Sequence, residues 1–302
     1  MGARRDFPID EGYAGGRLET FLRRKLGLPR TLALKALRKG WVRLGGKRAK
    51  ADARLDMGVV VTITNPALEL PGLAPREAPR VAPALVNEAR RSIRFRDDDV
   101  VVSAKPAGAV VHAGSGHESG WVDALRAALG SEECVPIGRL DRDTSGLLLC
   151  TLRRAATRGW FEELKAGRVR RVYTALVRGR VESERGEISA PLDKVEKDGL
   201  EQTAATEDGK PSLTRFEVVR RFAGATLLRV TIDTGRTQQI RAHMEHVGHP
   251  ILGDPRHGGA GDLARKIGLT RTFLHAGTLE LGNGRRFEEP LPQELANPLA
   301  RL

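Results

Sequence analysis

Residues Gly138-Arg-Leu-Asp-Arg-Asp-Thr-Ser-Gly146 run directly into the apolar stretch Leu147-Leu-Leu-Cys150. A turn crowded with two aspartates, two arginines, a threonine and a serine, backed by a buried strand, presents a carboxylate rigidly at the rim of a cleft. Asp143, Thr144 and Ser145 are the turn-capping residue types. Asp141, set between arginines, has a different environment. A guanidinium beside it keeps the carboxylate ionised, as a nucleophile or base requires. Arg139 is free to pair with Asp143 or with another carboxylate.

Working outward from this string, residues 93–302 alternate strands and turns with few helices. Val100-Val-Val-Ser reads as a short buried strand leading into Lys105-Pro-Ala-Gly and Val110-Val-His112. Strand patterns follow at Val172–Val177, Thr214–Arg221 and Ala225–Ile232. Helices are predicted at Trp121–Leu129, Ala155–Lys165 and Thr237–Val247, the last burying Ile240, Met244 and Val247. Sequential strands with short turns and few crossover helices argue for an α+β domain on a mixed or antiparallel sheet.

Ahead of it lies a basic module. The whole chain carries 51 Lys+Arg against 38 Asp+Glu, a net charge of +13, and residues 1–50 supply +10 of it. Leu18, Phe21, Leu22 and Leu26 form one apolar helical stripe, with Arg23, Arg24 and Lys25 off it. A second helix from Thr31 to Lys39 buries Leu32, Ala33, Ala36 and Leu37, and Gly40 stops it. A hairpin turning at Gly45-Gly46 and a strand over Val59–Ile63 complete residues 1–65. Arg30, Lys35, Arg38, Lys39, Arg43, Lys47 and Arg48 add to the charge, and on such a scaffold they suit a phosphate backbone. Residues 66–92, with repeated Ala-Pro, read as a Pro-rich linker.

Several classes are excluded. At 40% hydrophobic and 29% charged residues the chain is globular. It contains no run of about 18 apolar residues and its first residues lead into no apolar signal core, so a cytoplasmic protein without a membrane span is expected. Cys134 and Cys150 have no metal-type spacing. His243, His246 and His249 are spaced by three, but no carboxylate or cysteine completes a ligand set, so they read as packing or RNA-contact residues. Asp-x-Asp beside Thr/Ser also occurs in phosphatases of the haloacid dehalogenase type, where an apolar strand precedes the first aspartate. Here the apolar strand follows it.

The string "GRLDRDTSGLLL" resembles the catalytic motif of the RluA-type pseudouridine synthases. Further motifs follow in that family's order: Lys105-Pro-Ala-Gly to His112, Arg171-Val-Tyr-Thr-Ala-Leu-Val177, Thr234-Gly-Arg-Thr-Gln-Gln-Ile-Arg241, Gly248-His-Pro-Ile-Leu-Gly-Asp254 and Leu274-His-Ala276. Residues 16–63 resemble the alpha-L RNA-binding domain, and with it in front the architecture is most similar to the RluC branch. Gly138 and Gln238 depart from the family, each standing where histidine is usual.

The resemblance implies isomerisation of uridine to pseudouridine, without metal or small-molecule cofactor, in large-subunit ribosomal RNA or a pre-ribosomal particle. Nothing in the sequence suggests an obligate interface, so a monomer is the default expectation. It implies Asp141 as the essential carboxylate, acting at the ribose C1′ or assisting glycal formation. It implies Tyr173 as the active-site tyrosine, stacking near the flipped base or also acting as its general base, and Arg241 as the arginine paired with the aspartate. Arg139 would fill the place the extruded base leaves, and Leu140 and Leu274 would dry the pocket. The competing class is an RNA-binding ribosome-assembly factor without catalysis, and the presence of Asp141, Tyr173 and Arg241 argues against it.

Overall fold

The computed structural model describes residues 5–9, 13, 15–56, 58–64, 81–113, 119–131, 133–153, 155–197 and 199–302. Two units form: Met1–Arg80 with Arg153–Arg158, and Val81–Leu152 with Gly159–Leu302.

In the first unit, β1 (Arg5–Pro8) precedes helices α1 (Leu18–Arg24) and α2 (Arg30–Lys39). Strands β2 (Val42–Leu44), β3 (Lys47–Arg48) and β4 (Val60–Ile63) follow, and the sheet order is β1-β4-β2-β3. The stripe of Leu18, Phe21, Leu22 and Leu26 is buried as its spacing predicts, against Ala33, Ala36, Leu37, Val42 and Val61. Leu32 is only half-buried. β1 is too short and polar to show alternation, and only its pairing with β4 makes it a strand. Arg23, Arg24, Arg30, Lys35, Arg38, Lys39, Arg43, Lys47 and Arg48 are all exposed. Arg23 and Arg30 converge on Glu19, at 3.9 and 3.2 Å.

The linker reading of residues 66–92 fails over its last part, because helix α3 (Pro83–Arg91) forms there. Proline in the first helical turn sacrifices no needed N–H. Leu85 and Ala89, four residues apart, pack on the core of the second unit. The repeated Ala-Pro pairs masked that period. Residues 66–80 of the expected linker lie outside the described residues.

The second unit opens with β5 (Ile93–Arg96), β6 (Val100–Lys105), helix α4 (Trp121–Leu129), β7 (Val135–Pro136) and β8 (Ser145–Thr151). Helix α5 (Thr157–Lys165) leads to β9 (Val169–Arg178) and β10 (Arg185–Ser189). A separate hairpin, β11 (Leu192–Lys197) and β12 (Leu200–Ala205), comes before β13 (Leu213–Phe222) and β14 (Ala225–Ile232). Helices α6 (Gln239–His246) and α7 (Asp262–Lys266), strands β15 (Leu274–Leu281) and β16 (Arg286–Glu288), and α8 (Gln293–Leu299) end the chain.

Among the described residues ten strands form one sheet, in the order β10-β13-β14-β9-β15-β8-β6-β5, with β16 on β15 and β7 on β8. The β15–β8 pair is parallel and the other pairs are antiparallel, so the sheet is mixed and the class α+β. All seven residues of β8 are buried, because both faces of the sheet are covered. Leu148 and Cys150 pack with Trp121 and Leu125 on one face, while Leu147 and Leu149 pack with Val100, Val102 and Ile137 on the other. That split is the two-residue period of a strand. Among the described residues no helix is long and apolar enough to cross a membrane.

Helix α6 corrects one expected core position. Ile240 and Met244 are buried, but Val247 is 41% exposed, beyond the last helical turn. Arg241 and His243 are buried in its stead. His243 is a packing residue: its ring nitrogens lie 2.8 Å from Thr214 Oγ1 and 2.9 Å from the Ala190 carbonyl. Burial lowers its pKa below that of an ordinary imidazole.

Candidate active site

The first β8 residues fix the loop that carries Asp141. His275 and Ala276 of β15 pair with Ser145 and Gly146, and Gly146 has φ +118° with the Ala276 carbonyl pressed against its Cα. A Cβ there would overlap that oxygen, so only glycine lets the two strands meet at this point. The loop is then strapped from two sides. Lys105 donates from Nζ to the carbonyls of Pro106, Ala109 and Arg142, at 2.7, 2.8 and 3.2 Å. Arg271 donates to the Asp143 carbonyl at 3.2 Å and to Ser145 Oγ at 2.8 Å, and pairs with Glu294. Burial brings the Lys105 pKa down to about 7, although the nearby Asp141 and Asp143 oppose this.

Two smaller expectations are corrected by these contacts. Ser145 does not cap the turn, since its hydroxyl lies 2.9 Å from His275 Nδ1 and accepts from Arg271. The Asp143 carboxylate pairs with Arg142 at 3.1 Å, and Arg139, exposed, has no ion pair among the described residues.

Asp141 lines an open cleft of about 1310 Å³ in the second unit. Its side chain is 17% exposed, and its Oδ2 lies 3.6 Å from Arg241 Nη1. Around it, Leu140, Tyr173, Ile240 and Leu274 supply apolar surface, and Arg139, Arg171 and Arg241 line the same pocket. The structure thus brings Asp141, Tyr173, Arg241, Leu140, Leu274 and Arg139 together, although they come from a loop, two strands and a helix.

The arginine is shared. Arg241 Nε and Nη2 bind both oxygens of Asp254, at 2.6 and 2.8 Å, and Asp254 is fully buried. Asp254 is therefore the principal partner of the guanidinium, and Asp141 receives its remaining edge. Burial works against ionisation of Asp254, but the hydrogen bonds and charge of Arg241 outweigh it and hold the carboxyl below its ordinary range. Burial likewise opposes the charge on Arg241, and Asp254 and Asp141 more than restore it. Bidentate geometry makes this pair a rigid mount. Asp254 stood in the Gly248–Asp254 motif without an assigned role. Arg271, 126 residues from Ser145, had no signal in the sequence.

Tyr173 projects from β9 and is 4% exposed. Burial raises its pKa above the ordinary phenol value, against the opposing influence of Arg171, so the hydroxyl is neutral at physiological pH. Behind Arg241, Gln238 adopts φ +53°, unusual for a residue with a side chain. Its Oε1 accepts from the Thr203 amide of β12 at 3.3 Å and lies 3.2 Å from His257 Nε2. His257 Nδ1 lies 2.8 Å from Glu245. The position that departs from the expected histidine thus ties the β11–β12 hairpin to the mount of Arg241. Among the described residues no group of three or more His, Cys, Asp or Glu is arranged to hold a metal.

The family model described as RNA pseudouridylate synthase matches residues 99–246. The chain is 39% identical over 309 positions to Ribosomal large subunit pseudouridine synthase C of Escherichia coli (strain K12), covering 97% of this chain and 95% of that protein. To the protein of the same description from Haemophilus ducreyi it is 38% identical over 308 positions, with 98% and 95% covered. Among solved structures, Human RNA Pseudouridylate Synthase Domain Containing 1 matches at 26% identity with a TM-score of 0.56, over 68% of this chain and 85% of that one. Human RNA Pseudouridylate Synthase Domain Containing 4 shares the fold, at 21% identity and a TM-score of 0.61, over 72% and 95%. With relatives this similar along nearly the whole chain, and a sheet that carries the motif loop at its centre, the chain belongs to the RluA-type RNA pseudouridine synthases, isomerases that convert uridine to pseudouridine in RNA.

Proposed function

We propose that the enzyme isomerises uridines of large-subunit ribosomal RNA in the cytoplasm, as a monomer, with Asp141 as the essential carboxylate. The observation that carries this reading is the placement of Asp141 in one pocket with the shared guanidinium of Arg241 and the buried phenol of Tyr173. The names of the bacterial relatives support the choice of RNA.

Isomerisation breaks the N1–C1′ bond, turns the base and forms a C5–C1′ bond; C5 loses its proton and the freed N1 takes one up, so the composition is unchanged. Nothing is oxidised and no atom is added to the uridine. Asp141 acts at C1′, by attack or by assisting formation of a glycal. Arg241 aims the carboxylate, and Asp254 keeps Arg241 in place. A stacked base is out of reach of this carboxylate, so the uridine is flipped out at a cost of a few kcal/mol. Exposed Arg139, two residues from Asp141, fills the gap in the stack. Leu140 and Leu274 exclude water from the reacting atoms.

Tyr173 serves as a neutral phenol at the base. Tyr173→Phe keeps the ring and loses only the hydroxyl. It is expected to lower the single-turnover rate by about 10²- to 10⁴-fold, the scale of a lost proton-transfer group, with RNA affinity unchanged. A wild-type rate in this variant would reduce Tyr173 to a packing residue.

The exposed cations of the first unit supply the grip on RNA, through phosphate contacts that release counterions. Replacing Arg43, Lys47 and Arg48 together by glutamine should flatten the plot of log affinity against log salt by about 0.7 to 0.9 for each phosphate no longer neutralised. An unchanged slope, measured by filter binding across a salt series, would remove the role given to this hairpin. The choice of RNA is tested by mapping pseudouridines in ribosomal RNA from cells with and without the gene. Large-subunit sites should revert to uridine, and an unaltered large-subunit map would refute the assignment.

A further inference from the structure

Three arginines lie beside the Asp141 loop, Arg171 and Arg241 buried and Arg271 nearly so, and two of the three have carboxylate partners. Arg241 is paired with Asp254 and Asp141, and Arg271 with Glu294. The third, Arg171, projects from β9 on the same face as Tyr173, two residues on, and is 8% exposed. Among the described residues it makes no ion pair, and its Nε is buried with no hydrogen-bond partner. A guanidinium removed from water without a counter-charge is costly, and in a cleft that charge can come from a ligand.

The walls beside Arg171 are bare backbone. A Cβ on Gly138 would stand 3.0 Å from Nη1, and one on Gly235 would stand 3.2 Å from Nη2. Gly138, with φ +91°, also adopts a conformation open to glycine. The guanidinium thus occupies a slot between two glycines, and Arg171 lines both the open cleft and the smaller pocket beside Asp141.

We propose that Arg171 is a phosphate-binding residue of the cleft, receiving a phosphodiester oxygen that flanks the extruded uridine. The planar fork of arginine suits two oxygens of one phosphate. RNA, the substrate class of the family, carries such an anion at every nucleotide. Arg171 lines the same pocket as Tyr173 and Asp141, so the phosphate it meets belongs to the nucleotide in the pocket or to its immediate neighbour. The inference rests on the proposed assignment of the Asp141 cleft as the reacting site, and it adds a contact that orients the flipped nucleotide by its backbone.

The test uses the full chain and a ribosomal RNA oligonucleotide containing a mapped target uridine. Single linkages around that uridine are replaced by uncharged methylphosphonates. For the wild-type protein, neutralising one flanking linkage should weaken binding roughly 10- to 100-fold, the size of a lost hydrogen bond between charged groups. In Arg171→Gln the charged and neutral oligonucleotides should bind alike, and the salt slope should fall by about 0.7. Arg171→Lys keeps the charge without the fork, so it should retain part of the penalty, and it serves if the glutamine variant does not fold.

Two results would overturn the proposal. One is a wild-type affinity indifferent to every flanking methylphosphonate. The other is a variant that keeps the full penalty while only the pH profile of turnover moves, which would confine Arg171 to an action on Tyr173. Failure of the Asp141 reading is read separately, as a wild-type protein that binds these oligonucleotides and never converts them.

Discussion

Asp141→Asn is expected to reduce turnover on the order of 10⁴-fold, the scale seen when an essential catalytic carboxylate is removed, with RNA affinity held within about a factor of two. The substitution is nearly isosteric, and among the described residues the carboxylate has one ion-pair partner, Arg241 at 3.6 Å. The loop itself is anchored elsewhere, through the Arg142 and Asp143 carbonyls and Ser145. Its geometry therefore survives the loss of the charge. The melting temperature should barely move, which separates a chemical defect from a folding defect. Substantial turnover in this variant, measured with saturating enzyme in a single-turnover assay, would transfer the chemistry to another group.

The second large effect falls on stability. Asp254→Asn removes the bidentate partner of a buried guanidinium and leaves Arg241 with Asp141 alone. Breaking a buried pair on one side typically costs about 3 to 5 kcal/mol, and denaturant unfolding at neutral pH should show a loss of that size. The pH dependence follows from the same pair. The Asp254 pKa is held below its ordinary value in the folded chain. Its contribution is therefore complete above the unfolded pKa of about 3.9 and is lost as pH falls through the folded value. The gap between wild type and variant should be constant near neutrality and close in acid. A gap that instead widened below pH 4 would contradict the pairing.

These two residues mark the limit of what the sequence discloses. Asp141 was legible because its neighbours are chemically unusual and an apolar strand follows directly, so a local reading finds the carboxylate. The helical stripe of Leu18, Phe21, Leu22 and Leu26 and the alternating strand Ala225–Ile232 were legible for the same reason, as periodicity is a local property. Asp254 was not assigned, because its partner is thirteen residues away across a helix and a turn, and only folding brings them together. Arg271 reaches the Asp143–Ser145 segment through a parallel strand pair that no local pattern predicts.

The missed helix Pro83–Arg91 shows a different obstacle. Pro at its start and the repeated Ala-Pro before it resemble a linker, while two apolar residues packed on a distant core decide the outcome. Val247 shows the reverse error, since a periodic stripe extrapolated to the residue before Gly248 would bury a side chain that the structure leaves on the surface. Burial is settled by what the opposite side of the sheet supplies, and the chain sequence records that only through contacts far apart along it.

The central claim is that this chain isomerises uridine in large-subunit ribosomal RNA through the Asp141 cleft. The direct measurement is tritium release from [5-³H]uridine-labelled large-subunit ribosomal RNA by the purified protein, with no metal or cofactor added. The wild-type protein should release tritium in proportion to the sites modified, and Asp141→Asn should bind the same RNA and release none. A wild-type protein that binds the RNA tightly and releases no tritium would contradict the account.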